Sequence, residues 1–559
     1  MADSPYLARP WLKHYDFWVP AEVRQPHGAL YQILQIAASQ YASRPATHFH
    51  GAELTFWQIK QQVDRLAAAL HRRGIRAADR VGIMLPNCPQ YPISFFAIAR
   101  LGAIVVNINP LYTAPEVARV IEDSGLCAMV TLDTLASTAR AAGAPPMLIL
   151  STLAEYKPEC APSPDARGAL AFTRLIAESG DETLPRLPGD CSGEVAVLTY
   201  TGGTTGVPKG AMLTHGSIYV NMLQSVVWGQ YFTRRGEERL LLVLPLFHVY
   251  GMTVGMLLSF WNGTLMILME KYNPDQLLDA VERLRPTFLP GVPTMFQSIL
   301  NHPRAATCGL EHVKSFNSGA APLAVETIDR FERLSGAMLR EGYGMTELSC
   351  SAITTPLLGI RKPGSIGVPM PSTWVRIVDL ETATQDVPVG EEGELLVRGP
   401  QMMSGYWRKP EETANTIRDG WLHTGDIARM DQDGYFYIVQ RKKDMINVGG
   451  FKVFPTEVDE VLYAHPAVAE AAAVGIPHPY RGEVVKAYVV LRAGSSASAA
   501  EILEFCGTRL AKFKAPAEIE FLDSLPKSAV GKILRKELRR RADMDSPEQA
   551  HGHPATERE

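Results

Sequence analysis

Cysteine is scarce in this chain of 559 residues. The seven cysteines, Cys88, Cys127, Cys160, Cys191, Cys308, Cys350 and Cys506, are scattered and form no CxxC pair. That pattern argues against a disulfide framework and against a cysteine-built zinc site, and it implies reduced thiols in a cytoplasmic protein. An excess of charge is missing as well. The formal net charge is -4, so nothing suggests a nucleic-acid partner. Residues 1–20 contain Asp3, Arg9, Lys13, His14 and Asp16 among their aromatics. They contain no apolar core of the kind a secretory leader needs.

A clean membrane span is lacking too. Residues 240–269 contain no Asp, Glu, Lys or Arg, but Pro245, His248, Asn262, Gly251, Gly255 and Gly263 interrupt them. The run is long enough to cross a bilayer. Its breakers favour instead a strand at 240–244, a loop, a buried helix at 253–261 and a strand at 264–269.

What the chain does have is length and alternation. It is too long for one hydrophobic core, so at least two domains are expected. Residues 57–73 read as a helix, with Ile59, Val63, Leu66 and Leu70 on one face. Residues 81–85 then read as a buried strand, 92–101 as a helix and 103–108 as a strand; 116–124 and 128–132 repeat the theme. This rhythm predicts an α/β fold, with parallel-rich sheets covered by helices in several layers. Further helices are expected at 275–285 and 324–335. Near residue 365 the pattern shifts to a small β-rich unit, with strands at 374–379, 393–398 and 435–439. After Arg441 a compact α+β segment follows, with helices at 456–464 and 498–510 and strands at 468–474 and 483–491. The expected domains are 1–440 and 441–542, followed by a polar tail, 543–559, with too little apolar surface to fold.

The chemistry concentrates first at residues 200–210. A strand leads into Thr201, Gly202, Gly203, Thr204, Thr205 and Gly206, and Pro208, Lys209 and Gly210 close the loop. Glycine lets backbone amides approach phosphate, and the threonines add hydroxyls. Lys209 supplies a compact positive charge. The spacing is not that of a Walker A loop.

This stretch resembles the phosphate-loop signature of the acyl-adenylate-forming superfamily, the AMP-dependent synthetases and ligases. That group includes acyl-CoA ligases, luciferases and the adenylation domains of peptide synthetases. Most members carry Ser where this chain has Gly202; the form found here is that of bacterial medium- and long-chain fatty-acid–CoA ligases. Other stretches match in the family's order, from about residue 30 to 541. The run Glu341, Gly342, Tyr343, Gly344, Met345, Thr346, Glu347 resembles the adenine and magnesium motif. The resemblance implies Tyr343 on adenine, Thr346 on the α-phosphate and Glu347 on Mg2+. Gly319 and Ala320 resemble the segment flanking the adenine and acyl sites. Asp426 and Arg441 correspond to the ribose-binding pair, and Lys443 to the hinge of a mobile C-terminal domain. Gly449, Gly450 and Lys452 resemble the loop lining the thiol tunnel. Lys532 matches the lysine that serves adenylation.

The resemblance therefore implies ATP, Mg2+ and coenzyme A as reactants and cofactors, with a carboxylic acid as substrate. Peptide-synthetase domains usually carry Asp where this chain has His248, so an amino acid is disfavoured and His248 is expected to gate the acyl pocket. Met252, Val254, Met256, Leu257, Leu258 and Phe260 are expected to line an apolar tunnel. Each buried methylene there would contribute ~0.8 kcal/mol, which favours a fatty acid. An aryl-acid ligase of the same superfamily and a non-catalytic nucleotide-binding homologue stay open as alternatives. Chain length, homodimer formation and peripheral contact with the inner membrane face are also open.

Overall fold

The computed structural model describes the chain except for residues 1–3, 159–167, 181–182, 202–207, 442–443, 449–450, 529–530 and 545–559. Its largest sheet has nine strands. Six run parallel: Leu339–Met345, Ser315–Ser318, Phe288–Gly291, Arg239–Leu242, Leu265–Leu268 and Pro45–Phe49. A second sheet has seven strands, ordered Leu170–Ala171, Met147–Ser151, Ala128–Leu132, Arg80–Met84, Ile104–Asn107, Val195–Thr201 and Lys209–Thr214. Only its last pairing is antiparallel.

The predicted helix at 57–73 runs Phe56–Arg72. Thr55 caps it, accepting from the Gln58 amide at 3.2 Å while its own amide donates to Gln58 Oε1 at 2.8 Å. Such a box satisfies two end groups that the helix cannot. Ile59, Val63, Leu66 and Leu70 are all fully buried. The helix Gln90–Arg100 is buried along its length from Gln90 to Ala99. A helix apolar on all sides must be packed on all sides, and here one large core cluster holds it.

An antiparallel sheet follows, built from Trp374–Val378, Gly393–Arg398, Trp421–Met430, Ile417–Arg418 and Phe436–Arg441. Residues from Ile446 onward make a fourth sheet with helices Pro455–Tyr463, Ala499–Gly507 and Arg535–Met544. This last unit has its own apolar clusters, centred on Val453, Val458 and Ile502, and on Tyr488 and Leu538. The expected tail falls outside the described residues from 545 on.

The break-filled run near 250 departs from expectation in winding. Tyr250–Leu257 is a π-helix, and only Leu258–Asn262 is α-helical. Gly251 packs so tightly that a Cβ there would lie 2.2 Å from the Pro245 carbonyl oxygen. Such π segments are rare and are frequently found at functional sites. Among the described residues no helix is long and apolar enough to cross a membrane.

Candidate active site

Parallel strands direct their C-terminal ends to one edge of a sheet, which is where α/β folds usually bind ligands. Here Phe288–Gly291, Ser315–Ser318 and Leu339–Met345 end side by side. Beyond them come Val292–Thr294, then Gly319 and Ala320, then the short turn Thr346–Leu348. Neighbouring strands in register thus bring together residues far apart in the chain. A Cβ on Gly319 would sit 2.9 Å from the Tyr250 ring, so bare backbone faces that ring. Ala320 follows with a left-handed φ of 69°.

Tyr343 donates its hydroxyl to Asp426 Oδ2 at 2.6 Å. That bond ties the strand carrying the expected adenine residue to the strand carrying the expected ribose acceptor. Asp426 is 2% exposed, and its backbone stands opposite Arg441 in the antiparallel pair. Glu341 points elsewhere: its Oε1 accepts from the Leu323 amide at 3.2 Å, and burial pushes its carboxyl up to about 7. It braces the Gly319–Leu323 loop from beneath. Gly342 lines the cavity described below.

Thr346 and Glu347 are both buried. Glu347 Oε1 accepts from the Tyr406 hydroxyl at 2.8 Å. The Tyr406 ring lies under Lys209, whose Nζ is 5.3 Å from its centre. Lys209 is paired across the strand ladder with Thr201. The two feet of the glycine-threonine loop are therefore fixed, while Gly202, Gly203, Thr204, Thr205 and Gly206 lie outside the described residues. Tyr406 escaped sequence reasoning. It sits in irregular backbone more than fifty residues from its nearest partner motif, and no periodicity singles it out.

Lys532 reaches this edge from the C-terminal unit. Gly531 adopts φ 74°, and a Cβ on it would lie 2.9 Å from both Thr294 Oγ1 and Val292 Cγ2. The Lys532 amide donates to Ser528 Oγ at 3.2 Å, which ties the loop to itself. Across the gap stands His248. Burial, together with the charge of Lys532, lowers its imidazole to about 4, so it is neutral near pH 7. Lys443, Gly449 and Gly450 lie outside the described residues. The backbone of Lys452 pairs with Asn447 in the fourth sheet, and among the described residues none of that hairpin lines the cavity.

A cavity of about 400 Å³ opens from this edge. It passes Gly319, Tyr343, His248 and Tyr250, then follows the face of the nine-stranded sheet to Lys314 and Arg340. The expected lining is corrected. Val254 and Leu258 line it, but Met252, Met256, Leu257 and Phe260 are core residues with no exposure. The winding explains the difference. Tyr250, Val254 and Leu258, four apart, form the lining stripe, and the residues between them turn into the packed interior.

Comparison with known proteins agrees with this geometry. The model of the AMP-binding enzyme family matches residues 34–407, and that of the AMP-binding enzyme C-terminal domain matches residues 457–532. A long-chain-fatty-acid–CoA ligase of Bacillus subtilis (strain 168) is 41% identical over 549 residues, covering 95% of this chain and 97% of its own. A feruloyl-CoA synthase of an Amycolatopsis species is 38% identical over 501 residues, 89% of this chain and 95% of its own. Among solved structures, ATP-bound MatB from Rhodopseudomonas palustris superposes with a TM-score of 0.81 at 30% identity, over 92% of this chain and 100% of that one.

Proposed function

Because the chain belongs to the AMP-binding enzyme family, we propose that it is an AMP-forming acyl-CoA synthetase. It activates a medium- or long-chain fatty acid with ATP and transfers the acyl group to coenzyme A. The supporting observation is the meeting of two separate units at one edge. The charge of Lys532 bears on neutral His248 at the head of a largely apolar cavity, and Tyr343, Asp426, Thr346 and Lys209 gather around the same strand ends.

In the first half-reaction a carboxylate oxygen attacks the α-phosphorus, a P–O bond forms, and the bond to pyrophosphate breaks. Negative charge builds on the phosphate oxygens, and Lys209, Lys532 and the Thr346 hydroxyl serve to offset it. Lys532 also draws the two anions together, which is a positioning effect. Glu347 is the buried carboxylate suited to magnesium, which takes one or two carboxylates besides phosphate oxygens. When bound, that ion would neutralise part of the triphosphate charge. Neutral His248 walls the head of the acyl cavity without placing a second cation beside Lys532. In the second half-reaction the thiol sulfur attacks the acyl carbon, the C–S bond forms and AMP leaves.

Lys532 and the Gly449–Lys452 segment serve different steps. The unit after residue 440 therefore rotates about Lys443 between them, bringing Gly449, Gly450 and Lys452 toward the thiol. Arg441, opposite Asp426 in the ladder, holds the ribose together with it. The feruloyl-CoA synthase relatives favour a second reading, an aryl-acid ligase.

One assay tests both acid classes. Lys532→Ala should abolish acid-dependent pyrophosphate release yet spare thioesterification of supplied acyl-AMP, with alkyl acids outcompeting cinnamic acids in the wild type. Equal loss of both half-reactions would refute the role of Lys532, and preference for the cinnamic acids would move the enzyme to the aryl reading.

A further inference from the structure

The far end of the acyl cavity is not wholly apolar: polar groups stand there beside Leu240 and Phe288. Arg340, only 6% exposed, lines it together with Ser315 and Lys314. Arg340 Nη1 donates to Ser315 Oγ at 2.8 Å, while its Nε is buried with no hydrogen-bond partner. Among the described residues no carboxylate lies within ion-pair distance of it. The acids whose charge bears on it are Asp16 and Glu332, and both are engaged elsewhere. Asp16 accepts from the amides of Leu357, Leu358 and Gly359. Glu332 pairs with Arg361 and accepts from the Leu339 amide. Lys314 is neutralised by Glu238, whose carboxylate it reaches at 2.8 and 3.1 Å.

A buried guanidinium without a counter-ion is unstable unless something supplies acceptors. A methyl terminus arriving here would deepen the problem, because it would displace water and offer nothing in return. An oxygen would resolve it, and a carboxylate matches the planar fork of Arg.

The span sets the length. Ser315 opens the strand that Ser318 closes, and Gly319 follows at the nucleotide edge. At ~3.3 Å per residue the two ends lie about 13 Å apart. An extended alkyl chain advances somewhat less than its ~1.5 Å bond length per carbon, so roughly ten carbons bridge the gap.

We propose that this cavity takes an acid oxygenated at its far end, an α,ω-dicarboxylic or ω-hydroxy acid of roughly ten to twelve carbons by that spacing, with Arg340 and Ser315 as its terminal partners. The proposal rests on the ligase reading above and narrows its substrate class.

Pyrophosphate release from the full chain with ATP decides it, using matched decanoic, hydroxydecanoic and decanedioic acids. The wild type should favour the diacid over the monoacid in kcat/KM by about tenfold or more, with the hydroxy acid between them. Arg340→Leu should lower kcat/KM for the diacid roughly 10- to 100-fold and raise it for the monoacid. Arg340→Lys should recover part of the diacid rate. Thermal shift gives a readout independent of turnover: the diacid should raise the midpoint of the wild type but not of Arg340→Leu. Equal losses on all three acids in Arg340→Leu would reduce Arg340 to a structural role and overturn the proposal, as would a wild-type preference for the monoacid. If no acid at all releases pyrophosphate while the diacid still shifts the midpoint, the ligase reading fails and the terminal subsite stands. If the diacid shifts nothing, the subsite itself is refuted.

Discussion

His215 is 2% exposed, and its Nδ1 accepts from the Leu30 amide at 3.1 Å. Burial lowers its imidazole from 6.5 to about 4. Between those two values the unfolded chain binds a proton that the folded one refuses, so stability falls as pH drops through this window and is flat above it. The full effect for this one group is about 3 kcal/mol. His215→Asn can present Oδ1 where Nδ1 accepts, and it cannot titrate. Thermal midpoints measured from pH 7.5 down to 5 should therefore fall less steeply for the variant than for the wild type. Parallel slopes would show that His215 does not set the acid limit. At this scale part of the candidate site is legible in the sequence. Thr346, Glu347, Asp426, Lys209 and Lys532 were readable because each belongs to a short, ordered signature. Tyr406 and Arg340 were not. One lies in irregular backbone and the other inside a strand, and only the folded ladder shows which groups they face.

The π-wound segment Tyr250–Leu257 is the element that shapes the cavity wall. Its winding depends on close approach, since any Cβ at Gly251 would meet the Pro245 carbonyl. Gly251→Ala must shift backbone, and overpacking of this kind costs typically 1–3 kcal/mol. The expected result is a lowered thermal midpoint together with a larger loss of adenylation than the stability change explains, because Tyr250, Val254 and Leu258 move with the wall. A variant that lost stability but kept its acid selectivity would show that the π turn is only packing. The sequence made this run visible as a broken apolar stretch, and the strand–loop–helix–strand order expected there is the one observed, with strands at Arg239–Leu242 and Leu265–Leu268. The lining was misjudged because apolarity does not distinguish core from wall. Only the register of the turn does, and π winding alters it.

At the scale of the whole molecule, the proposed role of Lys532 in adenylation depends on the C-terminal unit resting on the Val292–Thr294 segment, as it does here. Gly531 is one contact there, with a positive φ and no room for a side chain, and Arg492 donating to Asn301 Oδ1 at 3.1 Å is another. Gly531→Ala should strain the turn and push the loop off Thr294. Acid-dependent pyrophosphate release should fall at least about tenfold, while thioesterification of supplied acyl-AMP holds. Matching losses in both steps would mean that the substitution damages the unit itself rather than its docking. In the sequence, the expectation of two units comes from the change of rhythm after residue 365 and the second apolar pattern after 441. The face turned toward the large sheets could not, because a surface glycine carries no signal of its contact until the units meet.

The bond between Tyr343 and Asp426 has a consequence for the nucleotide. One of the two Asp426 oxygens expected to receive the ribose hydroxyls already holds a phenol at 2.6 Å. A sugar arriving there competes with the protein's own side chain, so the event is a swap of hydrogen bonds with little net gain. Discrimination among nucleotides at this position then depends on how well an incoming sugar outbids an internal rival.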